Sequence, residues 1–177
     1  AIQAIAVAKS KGLYVSCEVT PHHIFYTDVQ ADYYKVAPPF RKIADIEALI
    51  KGMQDGTVDT ISTDHAPHTP EDKRKGANGI SGIETAFSLC YTKLVREEYL
   101  TMNQLVKLMS TKPSEIMKLK KGRIVPGMQA DFVLVDLQHP YTINAAEFAS
   151  RGKNSPFDGV EVYGKILHTI KAGKTTY

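Results

Sequence analysis

The run Val58-Asp59-Thr60-Ile61-Ser62-Thr63-Asp64-His65-Ala66-Pro67-His68 constrains this chain more than any other. Val, Thr and Ile favour a buried strand, and Pro67 and Pro70 stop it. A β-branched run that closes on a carboxylate and two imidazoles is the pattern of a parallel strand whose C-terminal end opens on a site. Asp64 then stands where a carboxylate ligates a metal or moves a proton. The same string also suits a capping Asp beside two loop histidines.

The flanking segments place this strand in a repeating order. Ala1 to Lys11 reads as a helix closed by Gly12. Leu13 to Val19 reads as a strand ending in Thr20-Pro21-His22-His23, and Pro38-Pro39 forbids a helix in the polar stretch that follows. Ile43, Ile46, Leu49, Ile50 and Met53 have helical spacing, and Val58 to Thr63 is the next strand. His65 to Gly82 is a long loop of the kind that carries function. Ile83 to Val95 and Met102 to Met109 read as helices, and Ser114 as the cap of a short turn after Pro113. Helix alternating with strand indicates an α/β protein with βα units on a parallel sheet. Beyond Gly122 the chain turns β-rich, with strands at Ala130 to Asp136, Val160 to Val162, Ile166 to Lys171 and Lys174 to Tyr177.

Composition excludes several classes. A net charge of +3 over 177 residues argues against a nucleic-acid partner. The basic clusters Lys73-Arg74-Lys75 and Lys118 to Arg123 read as solvated loops. Two cysteines make no disulfide framework; Cys17 and Cys90 read as small core residues, which suits a reducing, cytoplasmic setting. No apolar run approaches the roughly 18 residues of a membrane span. The opening Ala1-Ile2-Gln3-Ala4 has helical composition but no capping residue, so the chain reads as a continuation of something longer.

Three motifs stand in order: Glu18-Val19-Thr20-Pro21-His22-His23, Pro38-Pro39-Phe40-Arg41 and Thr63-Asp64-His65-Ala66-Pro67-His68. Gly79 to Phe87 (Gly-Ile-Ser-Gly-Ile-Glu-Thr-Ala-Phe) and Lys153-Asn154-Ser155-Pro156-Phe157 follow them. Together they resemble the C-terminal part of a bacterial long-chain dihydroorotase of the amidohydrolase superfamily, over essentially the whole chain. The resemblance implies the last two strands of a (β/α)8 TIM-type barrel over 1–120 and part of a small β-rich domain over 121–177. It implies one or two zinc ions, held mostly by residues outside this chain, and a reaction that interconverts N-carbamoyl-L-aspartate and L-dihydroorotate in pyrimidine biosynthesis. Asp64 maps to the catalytic carboxylate, which also touches the metal. His68 maps to a residue that holds the substrate carboxylate, and Asn78, Gly79 and Ala37 map to substrate-contacting positions. The partners implied are the N-terminal remainder of the same protein, a small-molecule substrate, and a second copy or a carbamoyltransferase.

The other histidines read as support. His22 and His23, taken as neighbours on a strand, point to opposite faces and cannot share one ion. His65 reads as a neighbour of the site rather than a ligand, His139 and His168 as surface residues, and Tyr33 and Tyr34 as rim packing. Two departures from the resemblance stand out: Ala37-Pro38-Pro39 where many relatives have Asn-Pro-Pro, and Ala77-Asn78-Gly79 where they often have Pro-Phe-Gly. Two rival readings remain open at this point: a hydantoinase-like or allantoinase-like cyclic amidase, and a non-catalytic scaffold subunit of a carbamoyltransferase complex.

No His-x-His occurs in the sequence, and a single carboxylate does not cage a zinc ion. The 177-residue chain alone is therefore expected to be catalytically inert. Zinc-dependent cyclisation of N-carbamoyl-aspartate by the purified chain, above a metal-free blank, would show the opposite.

Overall fold

Two short parallel strands and the helices around them carry the chain to Asp64. The computed structural model describes residues 1–31 and 34–177, so Tyr33 lies outside the described residues. Helix α1 (Ile2–Ser10) closes as its sequence suggests. Gly12, at φ +74°, donates to Lys9 O, and Leu13 N–H reaches back to Ala8 O, the Schellman arrangement. The chain passes exposed Leu13 and Tyr14 into β1 (Glu18–Val19), which pairs in parallel with β2 (Thr60–Ile61). Both strands are shorter than their apolar runs. Among the described residues each has one neighbour, and Leu13 to Val15 bends away from it, with Val15 N–H on Leu13 O.

The stretch after β1 corrects the sequence reading. Pro21 does not sit at a strand end; it opens helix α2 (Pro21–Phe25), at a position where its missing N–H leaves nothing unpaired. His22 and His23 therefore share one helical turn, with ring centroids 4.3 Å apart, instead of facing opposite sides of a strand. Helix α3 (Ile43–Gln54) follows its apolar period and buries Ile46, Ile50 and Met53. Gly52 lets it approach closely, since a Cβ there would meet Val58 Cγ2 at 3.1 Å.

The long loop after β2 has internal structure. Helix α4 (Pro70–Arg74) starts in a capping box between Thr69 and Asp72. Lys73 Nζ then donates to Lys35 O, Ala77 O and Gly79 O at 3.1, 2.8 and 2.9 Å. Lys73 is thus an anchor and not a solvated residue. Tyr34 lies partly buried beneath it, with Nζ 4.4 Å from the ring centre.

Helix α5 (Ala86–Cys90) continues through a π-helical turn at Tyr91–Arg96. Helix α6 (Met102–Val106), a π-helical segment (Lys107–Thr111) and α7 (Lys112–Ile116) form one unbroken helical run. Ser114 is inside that run and caps nothing. The wide turn ahead of Pro113 takes up a residue that has no N–H and whose ring obstructs the preceding turn. The chain then doubles back at Gly122 (φ +81°), where a Cβ would lie 2.8 Å from Ser110 O.

Two apolar cores result. Val19, Ile61, Val58, Ile50, Leu94 and Leu105 centre the first, between the strand pair and α3, α5 and α6. Cys90 lies in it, and burial pushes its thiol up to about 12; Cys17 packs on its edge. Ile80, Leu89, Phe148, Phe157 and Val162 centre the second. It joins the loop after β2 to a two-stranded sheet of β4 (Tyr141–Thr142) and β5 (Glu161–Val162). Phe157 stacks on Tyr26 at 5.0 Å. The remaining sheet, β3 (Phe132–Asp136), β6 (Lys165–Lys171) and β7 (Lys174–Thr175), is antiparallel with an irregularity at Leu134/Val135. It leaves Phe132, Val133, Leu134 and Leu167 exposed, and His139 and His168 are exposed in the same region. No helix among the described residues is long and apolar enough to cross a membrane.

Candidate active site

Because β1 and β2 run parallel, the residues that leave them emerge on the same edge. Ser62 N–H donates to Val19 O at 2.9 Å, which sets Thr20 and its helix beside Thr63 and Asp64. Asp64 adopts φ +46°, a left-handed conformation that costs a non-glycine residue about 1–2 kcal/mol. Strain of this kind is retained where surrounding structure over-determines it. The Asp64 side chain is 46% exposed and touches one charged-type partner among the described residues, His22 Nε2 at 3.9 Å. That is too long for a hydrogen bond. The carboxylate is open.

Beneath it, proton positions follow from the acceptors available. His23 Nε2 lies 2.7 Å from Pro38 O, a pure acceptor, so Nε2 carries the hydrogen. His23 Nδ1 then accepts the Thr20 hydroxyl at 2.6 Å. With its hydrogen spent, Thr20 Oγ1 accepts from His22 Nε2–H at 3.1 Å. His22 Nδ1 is left as a bare, buried acceptor without a partner. Burial, with a smaller contribution from His23, pushes His22 down to about 3, so it is neutral. Burial lowers His23 as well, against the opposing effects of Pro38 O and Asp64. The paired histidines thus form a directed chain of hydrogen bonds from the Pro38 carbonyl to the floor under Asp64.

The loop residues come together on the other side. His65 Nδ1 accepts from Gly82 N–H and Ile83 N–H at 3.2 and 3.3 Å, which ties the start of the turn into α5 to the end of β2. His68 Nε2 donates to Asn78 O at 2.8 Å. To donate to a carboxylate, His68 must release that carbonyl or carry a second proton on Nδ1. Gly79 N–H is committed to Lys35 O at 3.0 Å, and Gly79 O accepts from Lys73 and Asn154. The backbone edge at Asn78 and Gly79 is therefore largely engaged within the protein. Ala37 is exposed beside the His23 acceptor Pro38, and its methyl group brings no polar contact.

Asn154 is the residue that sequence reasoning left without a role. Its Oδ1 accepts from His68 N–H at 2.8 Å and lies 3.0 Å from the Ser81 hydroxyl, whose single hydrogen goes to Gly152 O at 2.6 Å. Its Nδ2 donates to Gly79 O at 3.1 Å, and its carbonyl accepts from Ser81 N–H at 2.7 Å. One amide thus joins three loops. The only signal for it was its place in Lys153-Asn154-Ser155-Pro156-Phe157.

A model of the amidohydrolase family matches residues 2–176. This chain belongs to that family. It is 50% identical over 177 residues to a dihydroorotase of Clostridium botulinum (strain Eklund 17B / Type B), covering all of this chain and 44% of that one. A dihydroorotase of Lactiplantibacillus plantarum is 45% identical over 185 residues, covering 99% of this chain and 43% of its own length. Among solved structures, the L-hydantoinase (dihydropyrimidinase) of Arthrobacter aurescens superimposes with TM-score 0.93 at 33% identity, covering 98% of this chain and 42% of that one. The dihydropyrimidinase of Brevibacillus agri NCHU1002 does so with TM-score 0.90 at 26% identity, covering 98% and 41%. This amidohydrolase chain therefore spans less than half the length of the relatives it matches. Its α/β fold is the barrel-type fold of the family, with the strand pair as barrel strands.

The donors present fit one part of a metal site. Among the described residues, no three His, Cys, Asp or Glu side chains come together as a metal cage. His22 Nε2–H is spent on Thr20, and His65 Nδ1 on two backbone N–H groups. The open Asp64 carboxylate suits a single ligand contact.

The tightness of the loop is testable. At Gly79, φ is +123° and a Cβ would lie 2.5 Å from Ala66 Cβ. Gly79→Ala in the complete protein is expected to cost about 2–4 kcal/mol. Gly127 also has positive φ but nothing within 4 Å, so Gly127→Ala should cost about 1 kcal/mol. Denaturation midpoints measured side by side check this; equal shifts would mean that Ala66 does not crowd Gly79.

Proposed function

We propose that this chain is part of a zinc-dependent cyclic amidohydrolase that interconverts N-carbamoyl-L-aspartate and L-dihydroorotate in pyrimidine biosynthesis, in the cytoplasm. The observation that carries the reading is Asp64, an open carboxylate held in a left-handed conformation at the C-terminal end of a parallel strand. The 42–50% identity to bacterial dihydroorotases supports this substrate over hydantoin, since the hydantoinase and dihydropyrimidinase structures are 26–33% identical. The reading keeps 1–120 as the barrel portion and 121–177 as the second domain. The partners it calls for are the rest of the polypeptide and either a second copy or a carbamoyltransferase.

Zinc, when bound, lowers the pKa of water and polarises the amide carbonyl. Asp64 would offer it one oxygen. In the hydrolytic direction the Asp64 carboxylate takes a proton from the attacking water as the C–O bond forms. It returns that proton to the ring nitrogen as the C–N bond breaks. The neutral His22 below does not compete for that proton, because burial holds its basicity far down. His68 binds the substrate carboxylate at the far end, on a turn fixed by Asn154.

Asp64→Asn in the complete protein is expected to cut turnover by at least about a hundredfold while most bound zinc remains. Metal analysis beside steady-state kinetics checks both halves, and near-normal turnover would reduce Asp64 to a structural cap.

His68→Ala should act on binding. Loss of a charge-assisted hydrogen bond of about 1.5–3 kcal/mol raises the Michaelis constant for dihydroorotate about ten- to a hundredfold. An unchanged constant would remove His68 from the substrate site.

A further inference from the structure

A cleft of about 680 Å³ is lined by His68 and by residues of the loop and strap around it, and Asp64 is not part of its lining. Lys35, Lys73, Arg74, Arg151 and Lys153 line it together with His68, and among the described residues no Asp or Glu does. Elsewhere six cations, Lys9, Lys75, Lys93, Lys112, Lys121 and Arg123, each face a carboxylate, whereas none of the five in the cleft does so among the described residues. Within the cleft, Lys73 and Lys153 are tied down by backbone carbonyls, which neutralise nothing. The side chains of Lys35, Arg74 and Arg151 have no hydrogen bond or ion pair among the described residues and keep their donors for a ligand.

The crowding is built in. Gly76 has φ +92°, and its missing side chain leaves room for Lys35 Nζ, which would stand 3.0 Å from a Cβ there. Lys73 is held below the usual lysine range, chiefly by burial and then by Lys35. Five positive groups with no carboxylate among the described lining residues are stable together when an anion joins them, and guanidinium groups favour phosphate and carboxylate oxygens. The volume is that of a small-molecule site. The cations surround one cleft instead of running along an extended face, which suits a small anion better than a nucleic-acid strand.

We propose that this cleft binds a small anion with two or more negative charges, a phosphate ester or a dicarboxylate, through Arg74, Arg151 and Lys35. The site has His68 and Asn154 in its lining but not Asp64. It does not depend on which cyclic amide the protein hydrolyses.

The test uses the complete protein and inorganic pyrophosphate, with binding followed by calorimetry so that turnover plays no part. Pyrophosphate should bind the wild type. The Arg74→Gln/Arg151→Gln variant should bind it about a hundredfold more weakly, about tenfold for each guanidinium. Arg74→Lys/Arg151→Lys, which preserves charge, should lose far less. A remote control of equal charge change, Lys171→Gln/Lys174→Gln on exposed positions, should stay within about twofold of wild type, as expected where only screened long-range charge changes. Competition identifies the source. Displacement of pyrophosphate by N-carbamoyl-aspartate marks a docking site for a dicarboxylate, and displacement by a nucleoside triphosphate alone marks a phosphate-ester site. No binding to wild type, or equal losses in the arginine and remote variants, would overturn the proposal.

Discussion

The register of β1 against β2 is the constraint on which the candidate site depends. Only two residue pairs define it, Glu18 with Thr60 and Val19 with Ile61, yet it is held at both ends. At the entry, the Asp59 carboxylate accepts from Cys17 N–H at 2.9 Å and from Lys9 Nζ at 2.7 Å. Lys9 also donates to Thr57 O at 2.9 Å, so α1 and both strands meet at one ion pair. At the exit, Ser62 N–H meets Val19 O. A slip of one residue would turn Val19 and Ile61 out of the first core. It would also separate Thr20 from the base of Asp64.

A second constraint comes from backbone polar groups that lie away from water and must find partners. The turn after Asp64 and the Asn78–Ser81 strip share one isolated parallel bridge, His65 with Ile80, where Ala66 N–H donates to Ile80 O at 2.8 Å; a side chain must supply the partners that this bridge and the Gly152–Asn154 segment lack. Asn154 does so from 86 residues beyond His68, and Ser81 Oγ extends the network by donating to Gly152 O at 2.6 Å. The Glu84 carboxylate adds to it by accepting from Ala149 N–H and Ser150 N–H. Residues 148–157 thereby act as a strap over the loop, with Phe148 and Phe157 as apolar anchors in the second core. Rigidity around His68 and Gly79 thus comes largely from side chains remote in sequence. The lysine and arginine side chains of the cleft gather along the same strap.

Much of this was legible in advance where local chemistry decides. Helix α3 followed its apolar spacing, Gly12 closed α1, and Asp64 stood at the end of a β-branched run, as read. The misreadings share a cause. Pro21 was treated as a strand terminator when it opened α2, because a proline suits both places and tertiary packing chose between them. Ser114 looked like a cap because Pro113 precedes it, but a π-helical segment carried the helix past the proline. Within Lys73-Arg74-Lys75, Arg74 and Lys75 are exposed as read, and only Lys73 departs, because three carbonyls that converge on one ammonium leave no mark in sequence.

By itself the sequence determined the class of fold, the order of its elements and the carboxylate at the strand end. Each of these rests on short-range causes: side-chain period, backbone permissiveness and the stopping power of proline and glycine. Only the tertiary structure decided the direction of the Thr20, His22 and His23 hydrogen bonds, the role of Asn154, and the gathering of unpaired cations beside His68. Those depend on which groups are left without a partner once distant segments have packed, and a hydrogen-bond deficit exists only in three dimensions.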